Sequence, residues 1–266
     1  MVTPKLQIVG GGKMGEALVT GLLQAGWAQP ADVRLVEKLP ARAEELRARF
    51  PEAAVSDAPA EAEGHVLAVK PGDIEAACAT LAATGSSSRV LSIAAGVPLT
   101  RLEAALNPGT PVVRAMPNTP ALVGAGAAAV APGSAAGDAD LDWAEEILGS
   151  VGTVVRVGEP SLDAVTGLSG SGPAYVFLVV EAMVEAGVLA GLARPVSAEL
   201  VAQTVLGAAK LIAETGQAPE ELRAAVTSPG GTTAAGVREL ERAGVRSAFL
   251  EAVMAATDRS RQLGAS

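Results

Sequence analysis

The chain has 266 residues, 49% of them hydrophobic, 18% charged and only 2% aromatic, so its core is large and built from small side chains. A formal net charge of −9 argues against nucleic acid or an anionic membrane as a partner. The only cysteine, Cys78, excludes an intrachain disulfide and a cysteine-based metal cluster, and no metal site is expected.

Residues 6–9 are a short apolar strand that runs into a glycine turn at 10–15, and 13–25 carry a helical pattern closed by Gly26. A second strand spans 33–36, a charged helix 41–49, a third strand 66–69 and a further helix 74–83. Strands at 90–93, 112–115 and 127–130 complete the set. The β-α-β-α order predicts an α/β domain over 1–157 with a mostly parallel sheet covered by helices. His65, the only histidine, directly precedes the third strand and is expected to be structural, and Cys78 reads as a small buried hydrophobe.

The pattern changes after Val157, with Gly158-Glu159-Pro160 as a hinge. The rest, 158–266, reads as an all-helical domain with breaks at 170–173, 191–195, 216–219 and 228–231. The apolar helix over 173–192 is interrupted by Glu181 and Glu185 and reads as a buried helix, not a membrane span. Residues 175–190 are too apolar for a solvated helix, so a second helix or a second subunit covers them, and an oligomer through this domain follows. The apolar run 5–12 ends in a glycine turn and not in a cleavage site, so no signal peptide is read and the expected location is the cytoplasm.

Two glycine-rich turns carry the chemistry. Gly10-x-Gly12-x-x-Gly15 lies between strand and helix, where a dinucleotide's pyrophosphate is held. Gly10 makes the tight turn, Gly12 admits the pyrophosphate, and Gly15 lets helix and strand pack closely. Glu37 ends the second strand, 22 residues after Gly15. A carboxylate there favours NAD through the ribose 2′-hydroxyl, whereas Lys38 and Arg42 would neutralise the 2′-phosphate of NADP, and the choice stays open. Loops Lys70-Pro71-Gly72 and Ala94-Ala95-Gly96 follow the carboxyl ends of strands and are expected to line the cofactor, although each taken alone reads equally as an ordinary connection. Asn118 and Thr119, set between prolines, read as further cofactor contacts. The second turn, Ser228-Pro-Gly-Gly-Thr-Thr233, delivers hydroxyls to a helix start at 232–243, which can hold a small carboxylate without a basic side chain. Together the two turns point to a reductase of a small carboxylic acid.

These motifs resemble pyrroline-5-carboxylate reductase nearly end to end. The resemblance is carried by Gly-Gly-Gly-Lys-Met-Gly (10–15), Ala-Val-Lys-Pro (68–71), Ser-Ile-Ala-Ala-Gly-Val (92–97) and Arg-Ala-Met-Pro-Asn-Thr-Pro (114–120). It continues through Gly-Ser-Gly-Pro-Ala-Tyr (170–175), Gln-Thr-Val-Leu-Gly-Ala-Ala-Lys (203–210) and Ser-Pro-Gly-Gly-Thr-Thr (228–233). It implies a Rossmann domain that binds NADP(H), with NAD(H) as the alternative, and a helical domain that forms homodimers and often a ring of dimers. It implies hydride transfer to the C=N carbon of 1-pyrroline-5-carboxylate, giving L-proline. Cofactor contacts then fall on Gly10, Gly11, Gly12, Lys13, Met14, Gly15, Glu37, Lys38, Val69, Lys70, Pro71, Ala94, Ala95, Gly96, Asn118 and Thr119. The substrate carboxylate falls to the Ser228 hydroxyl, Gly230 and the N–H groups of Gly231, Thr232 and Thr233. The resemblance implies that the Thr233 hydroxyl lies beside the imine nitrogen; Glu214, at a helix end, reads either as orienting the substrate or the loop or as a solvated carboxylate. Glu37 and Lys38 depart from the family, many of whose members carry Asn, Ser or Arg there. The competing expectations are a hydroxyacid dehydrogenase using Lys210, the only lysine after residue 70, as its acid, and a non-catalytic nucleotide sensor.

Overall fold

The computed structural model describes residues 3–264. They fold into two compact units, 3–171 with 254–264, and Gly172–Val253.

The first unit contains one eight-stranded sheet in the order β3-β2-β1-β4-β5-β6-β7-β8. Its elements are β1 (Leu6–Val9), α1 (Lys13–Gln24), β2 (Val33–Val36), α2 (Pro40–Arg49), β3 (Ala54–Ser56) and β4 (Gly64–Leu67). They continue as α3 (Ile74–Ala82), β5 (Arg89–Ser92), α4 (Leu99–Ala105), β6 (Val112–Met116), β7 (Gly126–Pro132), α5 (Asp138–Gly149), β8 (Gly152–Arg156) and α6 (Leu162–Val165). All neighbours run parallel except β6 and β7. Leu6 and Ile8 of β1, Val66 of β4 and Leu91 of β5 enter one apolar cluster. Val9, Leu67 and Val90 enter another. This alternation with period two means that the central strands are buried on both faces, which is why they are mostly apolar.

The strand expected at 66–69 lies two residues earlier, at Gly64–Leu67. His65 is fully buried within it, because the Gln7 amide donates to Nδ1 (3.0 Å) and Nε2 faces the Ser86 hydroxyl (3.3 Å). A polar side chain so satisfied does not interrupt a buried strand. Gly64 leaves room for Trp143, whose ring would overlap a Cβ placed there. Val69 therefore lies in the turn after β4. The strands β3 and β8 and the helices α4 and α5 carried no expectation. Cys78 is buried as expected, and burial pushes its thiol up to about 11.

The composition change at Gly158 falls inside the first unit. Leu162 is buried with Ala129 and Ala131, and the Ser260 hydroxyl donates to Asp163 (2.6 Å).

The second unit holds α7 (Gly172–Leu189), α8 (Arg194–Thr215), α9 (Pro219–Ala225), α10 (Thr232–Arg242) and the start of α11 (Val245–Gly264). No strand occurs among its residues. The Ser197 hydroxyl donates to the Val184 carbonyl (2.9 Å) beneath Gly187, which joins α7 to α8. The expected burial of the apolar helix is not met within one chain, since Phe177 is 60% and Leu178 66% exposed. The helical run Glu159–Leu189 and helix Arg194–Thr215 have the length and composition of membrane-crossing helices.

Burial without a nearby carboxylate pushes His65 down to about 4 from its ordinary 6.5. The unfolded chain therefore binds a proton that the folded chain does not, and stability falls as pH drops from about 6.5 towards 4, by up to about 3 kcal/mol. Urea unfolding at pH 7 and pH 4.5 should show a steeper acid loss for the wild type than for His65→Gln; equal losses would contradict this.

Candidate active site

A cavity of about 730 Å³ opens at the carboxyl ends of β1, β2 and β4. It is lined by Gly10, Gly12 and Lys13 of the glycine turn, Glu37 and Lys38 after β2, and Val69 and Lys70 after β4. This is the crevice where parallel α/β sheets bind ligands. Gly10 has φ +110°, and its N–H donates to the Val36 carbonyl (2.9 Å). A Cβ on Gly15 would overlap the Gly10 carbonyl oxygen, so the start of α1 rests directly on the turn. A Cβ on Gly12 would meet nothing within 4 Å. Gly12 caps α1 without a side-chain hydrogen bond, so the first N–H groups of the helix face open space. A pyrophosphate fits there, held by backbone donors and the helix dipole.

Gly11 is gripped from both sides. Its N–H donates to Glu37 Oε2 (3.1 Å), and its carbonyl accepts from Arg42 Nε (2.8 Å). Glu37 Oε1 accepts from the Leu39 N–H (2.8 Å). Arg42 is further engaged by Glu45 (2.7 Å) and Glu16, and these partners hold its guanidinium above its ordinary value. Arg42 is therefore a brace of the turn. Met14 packs against the apolar core.

The structure does not bring every expected residue into this cavity. Pro71 opens a short 3-10 turn, Pro71–Asp73, beside the lining residue Lys70. Ala94 is buried, whereas Ala95 is exposed, in the turn that follows β5. Gly96 has φ +72°, and Leu263 and Gly264 of α11 lie against it. The Asn118 amide donates to the Ser169 carbonyl (3.0 Å), and its oxygen accepts from the Ala127 N–H (2.9 Å). Its side chain thus braces the turn that leads into β7. Thr119 is exposed at the start of the Thr119–Val123 turn. Leu39, Pro59, Asp73, Ala76, Ala77 and Thr80 also line the cavity and were not expected to. The spacing 73, 76, 77, 80 marks one face of a helix start, which is the signal that could have found four of them.

In the second unit, Gly230 has φ +72°, and Gly231 caps α10 with no side-chain hydrogen bond. The first turn of α10 carries no acidic residue. The Gly231 N–H donates to the Ser228 carbonyl (3.1 Å) within the turn. The N–H groups of Thr232 and Thr233 open α10 beyond this turn. A Cβ on Gly231 would lie 2.5 Å from the Ser228 hydroxyl oxygen. Glu214 stands exposed in the last turn of α8, and no ion pair holds it among the described residues. Lys210 is likewise exposed on α8.

Residues 159–263 match the family described as pyrroline-5-carboxylate reductase dimerisation, and residues 5–96 match NADP oxidoreductase, coenzyme F420-dependent. A pyrroline-5-carboxylate reductase of Methanosarcina acetivorans is 45% identical over 99% of this chain and 99% of its own. One from Synechocystis is 46% identical over 98% of each. Among solved structures, a pyrroline-5-carboxylate reductase from Coxiella burnetii superposes with TM-score 0.92 at 34% identity, covering 98% of this chain and 99% of that one. One from Plasmodium falciparum with NADP bound gives 0.84 at 29% identity, covering 99% of each.

A Gly15→Ala change forces the Gly10 carbonyl away and should weaken nucleotide binding about tenfold or more. Fluorescence titration with NADPH measures this; an unchanged Kd would contradict the packing argument.

Proposed function

The chain belongs to the pyrroline-5-carboxylate reductase family, and we propose that its Ser228–Thr233 turn holds the substrate of that reaction. The enzyme is an oxidoreductase that reduces the C=N bond of 1-pyrroline-5-carboxylate to L-proline, the last step of proline biosynthesis. Its cofactor is NADP(H), or alternatively NAD(H), and when bound it supplies the hydride. The chain acts on a small molecule and forms a homo-oligomer.

The observation that carries the substrate reading is the bare start of α10. The N–H groups of Thr232 and Thr233 and the hydroxyl of Ser228 hold the carboxylate, favoured by the positive end of the helix. Gly230 supplies the left-handed turn that presents them. Thr233 donates a hydrogen bond to the imine nitrogen, directly or through water, where charge changes during reduction. Its hydroxyl has no other hydrogen-bond partner among the described residues, which supports that role. Glu214 orients the turn from the end of α8.

The glycine turn with Lys13, Lys38, Val69 and Lys70 takes the dinucleotide, whose nicotinamide end reaches the loops at 94–96 and 118–119. Functionally, 1–157 is the dinucleotide-binding domain and 158–266 the substrate and dimerisation domain. The exposed faces of α7 and α8 are covered by a second copy of the chain, not by lipid, and dimers assemble further into a ring. The location is the cytoplasm.

Thr233→Ala should lower kcat by about 10- to 100-fold while the Kd for NADPH is unchanged, and full kcat would sink the assignment. Gly230→Val, strained at positive φ, should raise KM for the imine about tenfold with little change in KM for the nucleotide. Steady-state kinetics with each substrate varied in turn would read both effects.

A further inference from the structure

We propose that Glu37 sets the nucleotide choice of this enzyme against a 2′-phosphate, so that NADH is an efficient hydride donor. The proposal rests on reading the cavity beside the glycine turn as the nucleotide site. In such a crevice the residue ending the second strand meets the adenosine ribose. Here that residue lines the cavity and is an acid.

Three observations bear on what the ribose meets. Glu37 is fixed, since its two oxygens accept from the N–H groups of Gly11 (3.1 Å) and Leu39 (2.8 Å). A carboxylate has about four acceptor sites, so it can still take a 2′-hydroxyl but has nothing to donate to a phosphate. Anchored on both oxygens, it cannot swing aside without releasing Gly11.

Arg42 is the residue with the geometry to clamp a phosphate with two hydrogen bonds. It is already spent on the Gly11 carbonyl (2.8 Å), Glu45 (2.7 Å) and Glu16. Releasing it would free two carboxylates as well as the turn. The neighbouring cation is Lys38, which is exposed and forms no ion pair among the described residues. Lys13 and Lys70 also line the cavity, the first at the start of α1, where the pyrophosphate sits, and the second after β4. A 2′-phosphate therefore meets one solvated ammonium beside a fixed carboxylate, whereas a 2′-hydroxyl meets an acceptor already in place.

The test compares wild type, Glu37→Gln, Glu37→Ser and Lys38→Ala, each assayed with NADPH and with NADH. The ratio of kcat/KM for NADPH over NADH cancels any general loss from loosening the turn. Removing the carboxylate should raise this ratio about tenfold or more, and removing the ammonium should lower it. Kd values for both nucleotides, read by fluorescence titration without the imine, should move in the same directions. A ratio that stays within about twofold of wild type in both Glu37 variants, in kinetics and in Kd, would overturn the proposal and leave Glu37 a brace of the turn. Measurable Kd values without turnover would count against the proposed reaction, and the Kd ratio would still decide the role of Glu37.

Discussion

The site depends on keeping one nearly bare turn both open and rigid. Residues 10–12 are three successive glycines, and glycine loses more conformational freedom on folding than any other residue. The turn is fixed from outside, by Glu37 on the Gly11 N–H and Arg42 on the Gly11 carbonyl. Both side chains come from the β2–α2 segment, so the parallel pairing of β1 with β2 also sets the shape of the glycine turn. Glu16 on α1 completes the arrangement by pairing with both Arg42 and Arg49 of α2. The restraints act on Gly11, while Gly12 and the uncapped start of α1 face the cavity.

Much of this was legible in the sequence because the forces involved are local or periodic. The strands β1 and β2 fall on their expected residues, since three of the four residues in each are apolar and buried. The glycine spacing placed the turn for the same kind of reason. What failed depended on partners distant in sequence. Gly64 and His65 belong to a strand only because Trp143 fills the space over one, and Gln7 and Ser86 satisfy the other. The strand β3 is only three residues long at the sheet edge, and Val155 of the edge strand β8 is exposed, so neither carries a buried pattern. In α5 the apolar positions 141, 144, 147 and 148 have helical spacing but lie among acids, which reads as loop without the sheet beneath them. The bonds that Asn118 and the Gly231 N–H make to Ser169 and Ser228 depend on the completed turns.

The helical unit raises a different constraint. Its two long helices are apolar around most of their circumference, and one chain covers little of them. Such a surface is unstable in water unless something covers it. Residues 159–263 match a dimerisation family, and a second copy of the chain is the proposed cover. The abundance of alanine and glycine in the chain fits closely approaching helices, of which the Gly187–Ser197 contact between α7 and α8 is a local example.

The most direct test of the account is the loss of NAD(P)H absorbance by purified protein in the presence and absence of 1-pyrroline-5-carboxylate, with the product identified by chromatography. The account predicts oxidation that requires the imine and yields proline in equal amount. Nucleotide binding without imine-dependent oxidation, or oxidation without proline, would contradict it.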